Sequence, residues 1–424
     1  MAKIKKIRAR EILDSRGIPT IEGQLILDND QEIYASASSG ESLGKYEGCE
    51  LRDADNSRYF GMGVKKAVSY INDLLAPKLV GTDPMRQADI DFWLLKADGT
   101  PDRSRLGVNS MMVVSQLVFK AAAYQSGLKL YKYINDYFNK TYKKNIQLEK
   151  IPSPIFSMIN GGKHGTKNLE FQEFQFIPST ALRFNEALEM GVSMYSMLKT
   201  VLDYRNAGIS VSEEGGFTPN LLTNSDALEV MKETLLQKKI KLGVDAFFGL
   251  DIAAAQFIKG DKYRIKDKPN PLSVTDYIAY IAELIKQYNI LVVEDPIGEE
   301  DFANWHVLSE MVGENTYIVG DDFIAGSKDR LKRASDQKSC SSVLIKYNQV
   351  ATISEIFEFV NVAKDANVKT IFSQRLGETN DSIIADFAVG IQSYFVKFGA
   401  PVRGERVAKY NRLLQINDEL NEKS

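Results

Sequence analysis

Cysteine is nearly missing from this sequence. The two present among 424 residues, Cys49 and Cys340, stand far apart and without zinc-type spacing. That speaks against a disulfide scaffold and for a reducing compartment. A dominant charge is missing as well: 53 Lys and Arg against 56 Asp and Glu leave a net charge of −3. No global field exists to draw in nucleic acid, so an anionic substrate has to be held by local cations. Long hydrophobic runs are also absent. The opening MAKIKKIRAREILDSRG holds no apolar stretch of signal-peptide length, and no later run approaches a membrane span. The expectation is a soluble, cytoplasmic protein with neither nucleic-acid nor membrane partners. What remains is ordinary globular material, 44% hydrophobic and 26% charged. It suffices for two domains, or for a barrel with an appended module.

The N-terminal part opens with strand-like alternation over 3–12, 20–27 and 32–37, with Asp28-Asn29-Asp30 turning between the last two. Helical periodicity follows over 64–75, where Pro77 is expected to stop the run, and over 110–138. Strands first and helices after form an α+β pattern, placing an N-terminal domain at 1–140. The polar stretch 139–150 (NKTYKKNIQLEK), just ahead of Pro152 and Pro154, reads as a linker. From 151 to 424 the rhythm changes. Apolar segments end repeatedly in polar residues: AFFGLD at Asp251, ILVVED at Glu294, TYIVGDD at Asp321, SVLIK at Lys346, KTIFSQR at Arg375 and YFVK at Lys397. Helical stretches such as 277–288 and 352–365 lie between them. Strand-then-helix repeats predict parallel βα units, and six or more predict a closed barrel with its site at the C-terminal strand ends. The fold class expected is α/β, a C-terminal β/α barrel behind a smaller α+β domain. Residues 418–424 read as a solvated tail.

Asp251, Glu294 and Asp321 end three strands in succession. Three carboxylates at one barrel mouth repel each other unless a hard cation lies among them, and all-oxygen ligation suits Mg²⁺. A single such residue is more often a helix cap; three at matching positions point to a site. Lys346 ends SVLIK, and a lysine at a buried strand end near a metal is a candidate base. On spacing alone, a structural ion pair with one of the carboxylates is an equal alternative. Arg375 and Lys397 add two cations, making a pocket for a small, multiply anionic ligand, and the Arg375 fork suits phosphate. Two glycine-rich clusters precede the strand repeats. INGGKHGTKN holds His164, and VSEEGGFTPN holds Glu213 and Glu214; such loops suit a closing lid. His306, among helix-like apolar residues, reads as structural.

Taken together, DSRGIPTIE, SGESLGKYEGCELRD, INGGKHG, QEF, EEGGFTPN, LDIAAAQF, VEDP, GDD, LIKYNQ, SQRLGET and RVAKYN resemble enolases, in the same order and over nearly the whole chain. The resemblance implies the glycolytic, Mg²⁺-dependent dehydration of 2-phosphoglycerate to phosphoenolpyruvate. It implies Asp251, Glu294 and Asp321 as ligands of a first Mg²⁺, and Ser42 as a helper for a second ion bound with substrate. Lys346 matches the base that takes the α-proton. Glu214, with Glu173 beside it, matches the acid that helps hydroxide leave. His164, Gln172, Gln374, Arg375 and Lys397 fall on substrate-contacting positions, together with the metal ligands Glu294 and Asp321. A homodimer, or an octamer of dimers, is implied too; some members of the family are also found at the cell surface.

The main departures from the family pattern fall in two motifs, with smaller ones at Ile18, where the family has asparagine, and at Glu213, where it has aspartate beside the acid. Glu41 and Leu43 stand in SGESL where the family reads SGAST. Gln374 and Leu376 stand in SQRLGET where it reads SHRSGET, and Leu376 replaces a serine that contacts phosphate. The metal set and the acid/base pair are intact. The expectation is therefore retained α-proton chemistry with an altered phosphate end. Two other readings stay open: a paralogue acting on another hydroxy-acid anion, and a non-catalytic binding protein on the same fold.

Overall fold

The structure is a computed structural model describing residues 2–40 and 45–421. It divides into two compact units. The first joins the N-terminal residues through Lys150 to Ile345–Asn361 and Ser373–Gln392; the second holds Ile151–Leu344, Val362–Phe372 and the chain from Ser393 onward. Among the described residues, no helix is long and apolar enough to cross a membrane.

In the first unit β1 (Ile4–Leu13), β2 (Pro19–Leu27) and β3 (Glu32–Ser36) form an antiparallel meander. Helices α1 (Lys65–Ser69), α2 (Ala76–Leu79), α3 (Gln87–Asp98), α4 (Val108–Gln125) and α5 (Leu130–Tyr142) follow. Alternate residues Ile21 and Leu25 of β2 share one core with Val113, Val114 and Leu117 of α4, as period two on a strand against period 3.6 on a helix requires. Three local expectations need correction. Pro77 does not stop its helix: the chain stays helical to Leu79, with a π-helical turn over Tyr70–Leu75 between α1 and α2. Widening the helix there relieves the clash of the proline ring and absorbs its missing N–H. The run over 110–138 is two helices, parted at Ser126 and Gly127, where Gly127 takes φ 68°; only glycine does so without strain. The expected linker and tail are partly helical, because α5 runs to Tyr142 and the last helix to Asn421.

The second unit is built around β4 (Ser153–Asn160), β5 (Glu173–Pro178), α6 (Phe184–Tyr204), α7 (Asn224–Gln237), β6 (Ala246–Asp251), a short hairpin of β7 (Ile258–Lys259) and β8 (Lys262–Tyr263), and α8 (Val274–Tyr288). Then, in chain order, come β9 (Ile290–Glu294), α9 (Phe302–Val312, carrying His306), β10 (Tyr317–Gly320), α10 (Lys328–Asp336), β11 (Ser342–Ile345), α11 (Ile353–Asp365), β12 (Lys369–Ser373), α12 (Ile383–Gly390), β13 (Phe395–Lys397) and α13 (Gly404–Asn421), of which α12 and most of α11 belong to the first unit. Eight strands close into a barrel in the order β10-β11-β12-β13-β4-β5-β6-β9. The expected barrel, with a smaller N-terminal domain, is what forms. It is plugged by Ile155, Ile177, Val292, Val319, Leu344, Ile371 and Phe395, the branched and bulky residues a small barrel needs to fill its interior.

One strand departs from the all-parallel expectation. β5 runs antiparallel to both β4 and β6. Residues 161–172 supply no crossover α-helix, only a 3₁₀ turn at Gly162–His164, and a parallel step requires a crossover. Two helices, α6 and α7, then restore the direction for β6. Their connection consequently returns to the C-terminal end of β4, where the Asn160 N–H donates to Phe217 O at 2.8 Å.

Within the first unit, the segment from Ile345 is tied down by a buried carboxylate. Asp91 of α3 accepts from Gln87 Nε2 (3.0 Å), Ser115 Oγ (2.6 Å), and both the N–H (2.9 Å) and Oγ (2.7 Å) of Ser354 in α11. Removing it strands several buried donors. Asp91→Ala is expected to lower the unfolding free energy in urea titration by about 2–3 kcal/mol. Asp89→Ala, on the exposed side of the same helix, is expected to change it by less than about 0.5 kcal/mol.

Candidate active site at the barrel rim

Strand register sets this site. Glu173 of β5 is the register partner of Asp251 on β6, and Asp251 is that of Glu294 on β9. Three carboxylates thus stand in one row on adjacent strands, with neighbouring strands about 4.8 Å apart. Glu294, Asp321 and Lys397 each lie two residues beyond a plug residue, namely Val292, Val319 and Phe395. Side chains repeat on one strand face every second residue, so a charged layer sits directly on the apolar one. It is dry: Glu173 and Glu294 are each 1% exposed.

Lys397 Nζ occupies the centre of the row, 2.8 Å from Glu294 Oε2, 3.2 Å from Glu173 Oε1 and 3.3 Å from Asp251 Oδ2. Burial opposes an ammonium here, but the three carboxylates outweigh it and hold the Lys397 pKa well above its ordinary value. Burial, and next the neighbouring Asp251, push Glu294 well above the usual carboxylate range; burial and Glu214 raise Glu173. One ammonium is shared by three carboxylates, and the raised pKa values of Glu173 and Glu294 express the crowding of negative charge around it. Glu294 Oε1 is buried and has no hydrogen-bond partner among the described residues. A partnerless carboxylate oxygen in a donor set of oxygens alone fits a hard divalent cation such as Mg²⁺. Gln172 Nε2 donates to Asp251 Oδ2 (3.0 Å), orienting the middle carboxylate.

Asp321 gathers with Asp295 and Asp322, their ligand atoms within 4.8 Å of one another. Asp251 and Glu294 share Lys397 instead, so the trio singled out by strand ends falls into two neighbouring groups. Asp295 is an addition that sequence reasoning missed. It follows the last residue of β9 and leaves the strand with φ 43°. Its two oxygens accept the N–H groups of Asp321 (2.9 Å) and Asp322 (2.8 Å), fixing the start of that loop. The Glu-Asp pair of VEDP, a second acid just past a strand end, carried the signal.

His164, Glu173 and Glu214 make a second cluster within 4.8 Å. His164 Nδ1 lies 3.0 Å from Glu214 Oε2 and 3.9 Å from Glu173 Oε1. Asn160 Nδ2 donates to Glu214 Oε2 (3.2 Å); Ser157 Oγ (2.6 Å) and Gln175 Nε2 (3.2 Å) donate to Glu173 Oε2. Burial works against a charged imidazole, but Glu214, then Glu173 and Asp251, raise His164 from 6.5 to about 9. Burial likewise opposes the Glu214 carboxylate, yet His164, followed by Arg406 and Lys397, brings it well below the usual range. The two form an ion pair, and the mobile proton rests on the histidine.

The loop VSEEGGFTPN is held along its backbone. Four successive carbonyls are taken by outside donors: Ser212 O by Arg403 Nη2 (2.7 Å), Glu213 O by Arg406 Nη2 (3.4 Å), Glu214 O by the Ala400 N–H (3.0 Å) and Gly215 O by Tyr195 Oη (2.6 Å). Gly216 serves close approach, since a Cβ there would meet Asn160 Oδ1 at 2.0 Å. The Glu214 carboxylate is therefore held on a pinned segment.

Lys346, Gln374 and Arg375 belong to the first unit. Lys346 continues β11 in extended conformation (φ −119°, ψ 135°), two residues past the plug residue Leu344. Arg375 is buried and forms a two-pronged ion pair with Glu47, Nη1 and Nη2 each 2.9 Å from a carboxylate oxygen. Gln374 and Leu376 are buried too. Ser42, Glu41 and Leu43 lie outside the described residues.

Residues 149–424 match the family model described as "Enolase, C-terminal TIM barrel domain", and residues 4–134 match "Enolase, N-terminal domain". With the closed barrel and its acidic rim, these matches define a TIM-barrel lyase of the enolase superfamily. More narrowly, the chain belongs to the enolase family.

The ion pair at the rim has a pH signature. Because folding raises the His164 pKa from 6.5 to about 9, its stabilisation is complete below 6.5 and fades as pH rises through 9. An NMR titration of the metal-free protein is expected to place the imidazole midpoint near 9. In Glu214→Gln, with the main counter-charge gone, the midpoint is expected to fall back towards 6.5, and the loss of melting temperature across this interval to disappear.

Proposed function

We propose that the protein is a Mg²⁺-dependent hydro-lyase converting 2-phosphoglycerate to phosphoenolpyruvate. The observation that carries this reading is the buried Glu173–Asp251–Glu294 row, three carboxylates around one ammonium with Glu294 Oε1 left without a partner among the described residues. Asp251, Glu294 and Asp321 would hold one Mg²⁺, and Ser42 would help hold a second together with substrate. When bound, the metal supplies positive charge against which the substrate carboxylate accumulates electrons.

The chain's own groups divide the remaining work. Lys346, as the free amine, takes the proton from the carbon alpha to the carboxylate, and the C–H electron pair passes into that carboxylate. The pair then returns to form the carbon–carbon double bond as the C–O bond to the leaving hydroxyl breaks. The departing oxygen takes a proton from the His164–Glu214 pair, with Glu173 beside it, and leaves as water. Resting ionisation refines the acid assignment: Glu214 is the ionised partner, and His164, 3.0 Å away, stores the proton it passes on. Lys397 neutralises developing charge at the rim, while Gln172, Gln374 and Arg375 orient the substrate. The domains proposed for this work are 1–140 and 151–424, in a cytoplasmic, glycolytic homodimer or octamer of dimers.

Leu376 favours a second reading. A buried leucine where the family places a phosphate-contacting serine weakens phosphoryl recognition, as a hydroxy acid without phosphate would tolerate. Both readings are open to direct assay. Adding 2-phosphoglycerate and Mg²⁺ is expected to raise the ultraviolet absorbance of phosphoenolpyruvate, and Lys346→Ala to slow this by about 10²-fold or more. Asp251→Asn is expected to weaken Mg²⁺ binding in calorimetry. A wild-type protein as silent as Lys346→Ala would reject the first reading, and turnover of unphosphorylated hydroxy acids would install the second. Under the first reading, Leu376→Ser is expected to lower KM about tenfold, the worth of one restored buried hydrogen bond.

A further inference from the structure

Two carboxylates three residues apart, Glu47 and Glu50, are buried in the first unit although neither has a part in the chemistry above. Each accepts from more than one segment of the chain. Glu47 takes both terminal nitrogens of Arg375 at 2.9 Å, and its Oε1 also accepts from Gln349 Nε2 at 3.1 Å. Glu50 Oε1 accepts from Asn348 Nδ2 (2.6 Å) and from the Gly40 N–H (2.9 Å), while its Oε2 accepts from Arg52 Nη2 (2.7 Å). The Gly48 N–H completes the set on Gln349 O, at 3.3 Å. Adjacent amides, Asn348 and Gln349, are thus gripped by adjacent carboxylates. They lie two and three residues beyond Lys346, on the turn Tyr347–Gln349 that this lysine caps.

We propose that Glu47 and Glu50 are positioning residues, which fix the Arg375 guanidinium in register with the segment that carries Lys346. The proposal rests on the reading of Arg375 as the phosphate-binding cation and Lys346 as the base. A bidentate carboxylate fixes the plane of a guanidinium, not only its location. The plane matters because a forked donor matches a phosphate in one orientation only. The backbone confines the group as well, since a Cβ at Gly40 would overlap Arg375 Nη2. Stability alone is a weak reason for such an arrangement, since a buried Arg–Glu pair is commonly no better than an apolar pair of equal volume. Setting two functional groups at one separation is a reason that needs both carboxylates. Glu47 touches the arginine and the base segment; Glu50 touches only the base segment and the Gly40 and Arg52 backbone and side chain.

That division predicts a split in kinetics that a merely structural role would not produce. Glu47→Gln turns an amide NH₂ towards the guanidinium and releases its plane. KM for 2-phosphoglycerate is expected to rise about tenfold or more, with kcat within about threefold of wild type. Affinity for inorganic phosphate, measured by calorimetry with Mg²⁺ present, is expected to fall in parallel. Glu50→Gln is expected to show the reverse, with kcat lowered about tenfold and KM within about threefold. Glu47→Asp keeps the charge on a shorter arm, and is expected to recover part of the lost affinity. If Glu47→Gln melts too low to assay, Gln349→Met loosens the same carboxylate without stranding a charge, and KM is expected to rise at least about threefold with kcat within about threefold of wild type. Folded Glu47→Gln and Glu50→Gln proteins that lose KM and kcat together, or neither, would overturn the proposal. So would a wild-type protein that binds no phosphate. A wild type without turnover overturns the proposed function instead, and the phosphate titration, which needs none, still decides the role of Glu47.

Discussion

The constraint on which the rest of the site depends is an imbalance of buried charge: three carboxylates in one strand register around one ammonium. Like charges taken out of water raise the energy of the folded state unless something compensates them. The surrounding polar side chains compensate in part, with Ser157 and Gln175 on Glu173 and Gln172 on Asp251. None of these brings positive charge. The crowding is therefore built into the barrel by β-sheet pairing itself, since the register that closes the sheet is the register that aligns the acids. Structures keep such costly features where function uses them, and an acidic cluster of this kind could hold a metal ion. Lys397 is the part of the compensation that the chain supplies permanently.

Chain direction explains why the acidic cluster has two halves. Asp251 and Glu294 end strands that run towards the rim, whereas Glu173 begins a strand that runs away from it. The reversal at β5 makes the chain spend two helices, α6 and α7, before β6. A helix pair has a connection at its far end, and that connection, 205–223, lands at the C-terminal end of β4. The loop bearing Glu214 is thus a topological consequence of one antiparallel strand. Its carbonyls, each claimed by a donor from 195–406, then hold it there.

This history decides what could be seen in the sequence. A strand that ends in an acid announces itself, so Asp251, Glu294 and Asp321 were legible from pattern, and so was the barrel from the repetition of such strands. Glu173 precedes its apolar run and Glu214 sits in an irregular loop; neither shows a period, and both were reached only through the resemblance to enolases. The reversal of β5 was invisible because a 12-residue connection lacking helical periodicity looks the same whether the chain crosses over or doubles back. Pro77 was misread for a different reason: the rule that proline ends a helix holds for regular α-helix, and a π turn immediately upstream suspends it. The membership of 345–361 and 373–392 in the first unit could not be read locally at all. It is made by contacts such as Ser354 to Asp91 and Arg375 to Glu47, whose partners lie hundreds of residues apart.

That last division bears on how the family pattern has drifted here. The carboxylate row, the His164–Glu214 pair and Lys397 all lie in the second unit, where barrel register and plug packing determine their positions. Gln374 and Leu376, the departures that fall among the described residues of the late motif, lie in the first. A substitution in a loop that merely lines a ligand alters what is recognised. A substitution in a register-locked row alters the charge balance of a buried cluster, at a cost several-fold larger. Change is therefore cheaper in a loop than in the row; the three carboxylates of the row are all present, while the departures, Glu213 beside Glu214 among them, fall outside it. Neutralising any one of Glu173, Asp251 or Glu294 would relieve the repulsion around Lys397, so the crowded row costs the fold stability, and that is a cost a metal-binding acidic cluster in an enolase-superfamily lyase has a reason to carry.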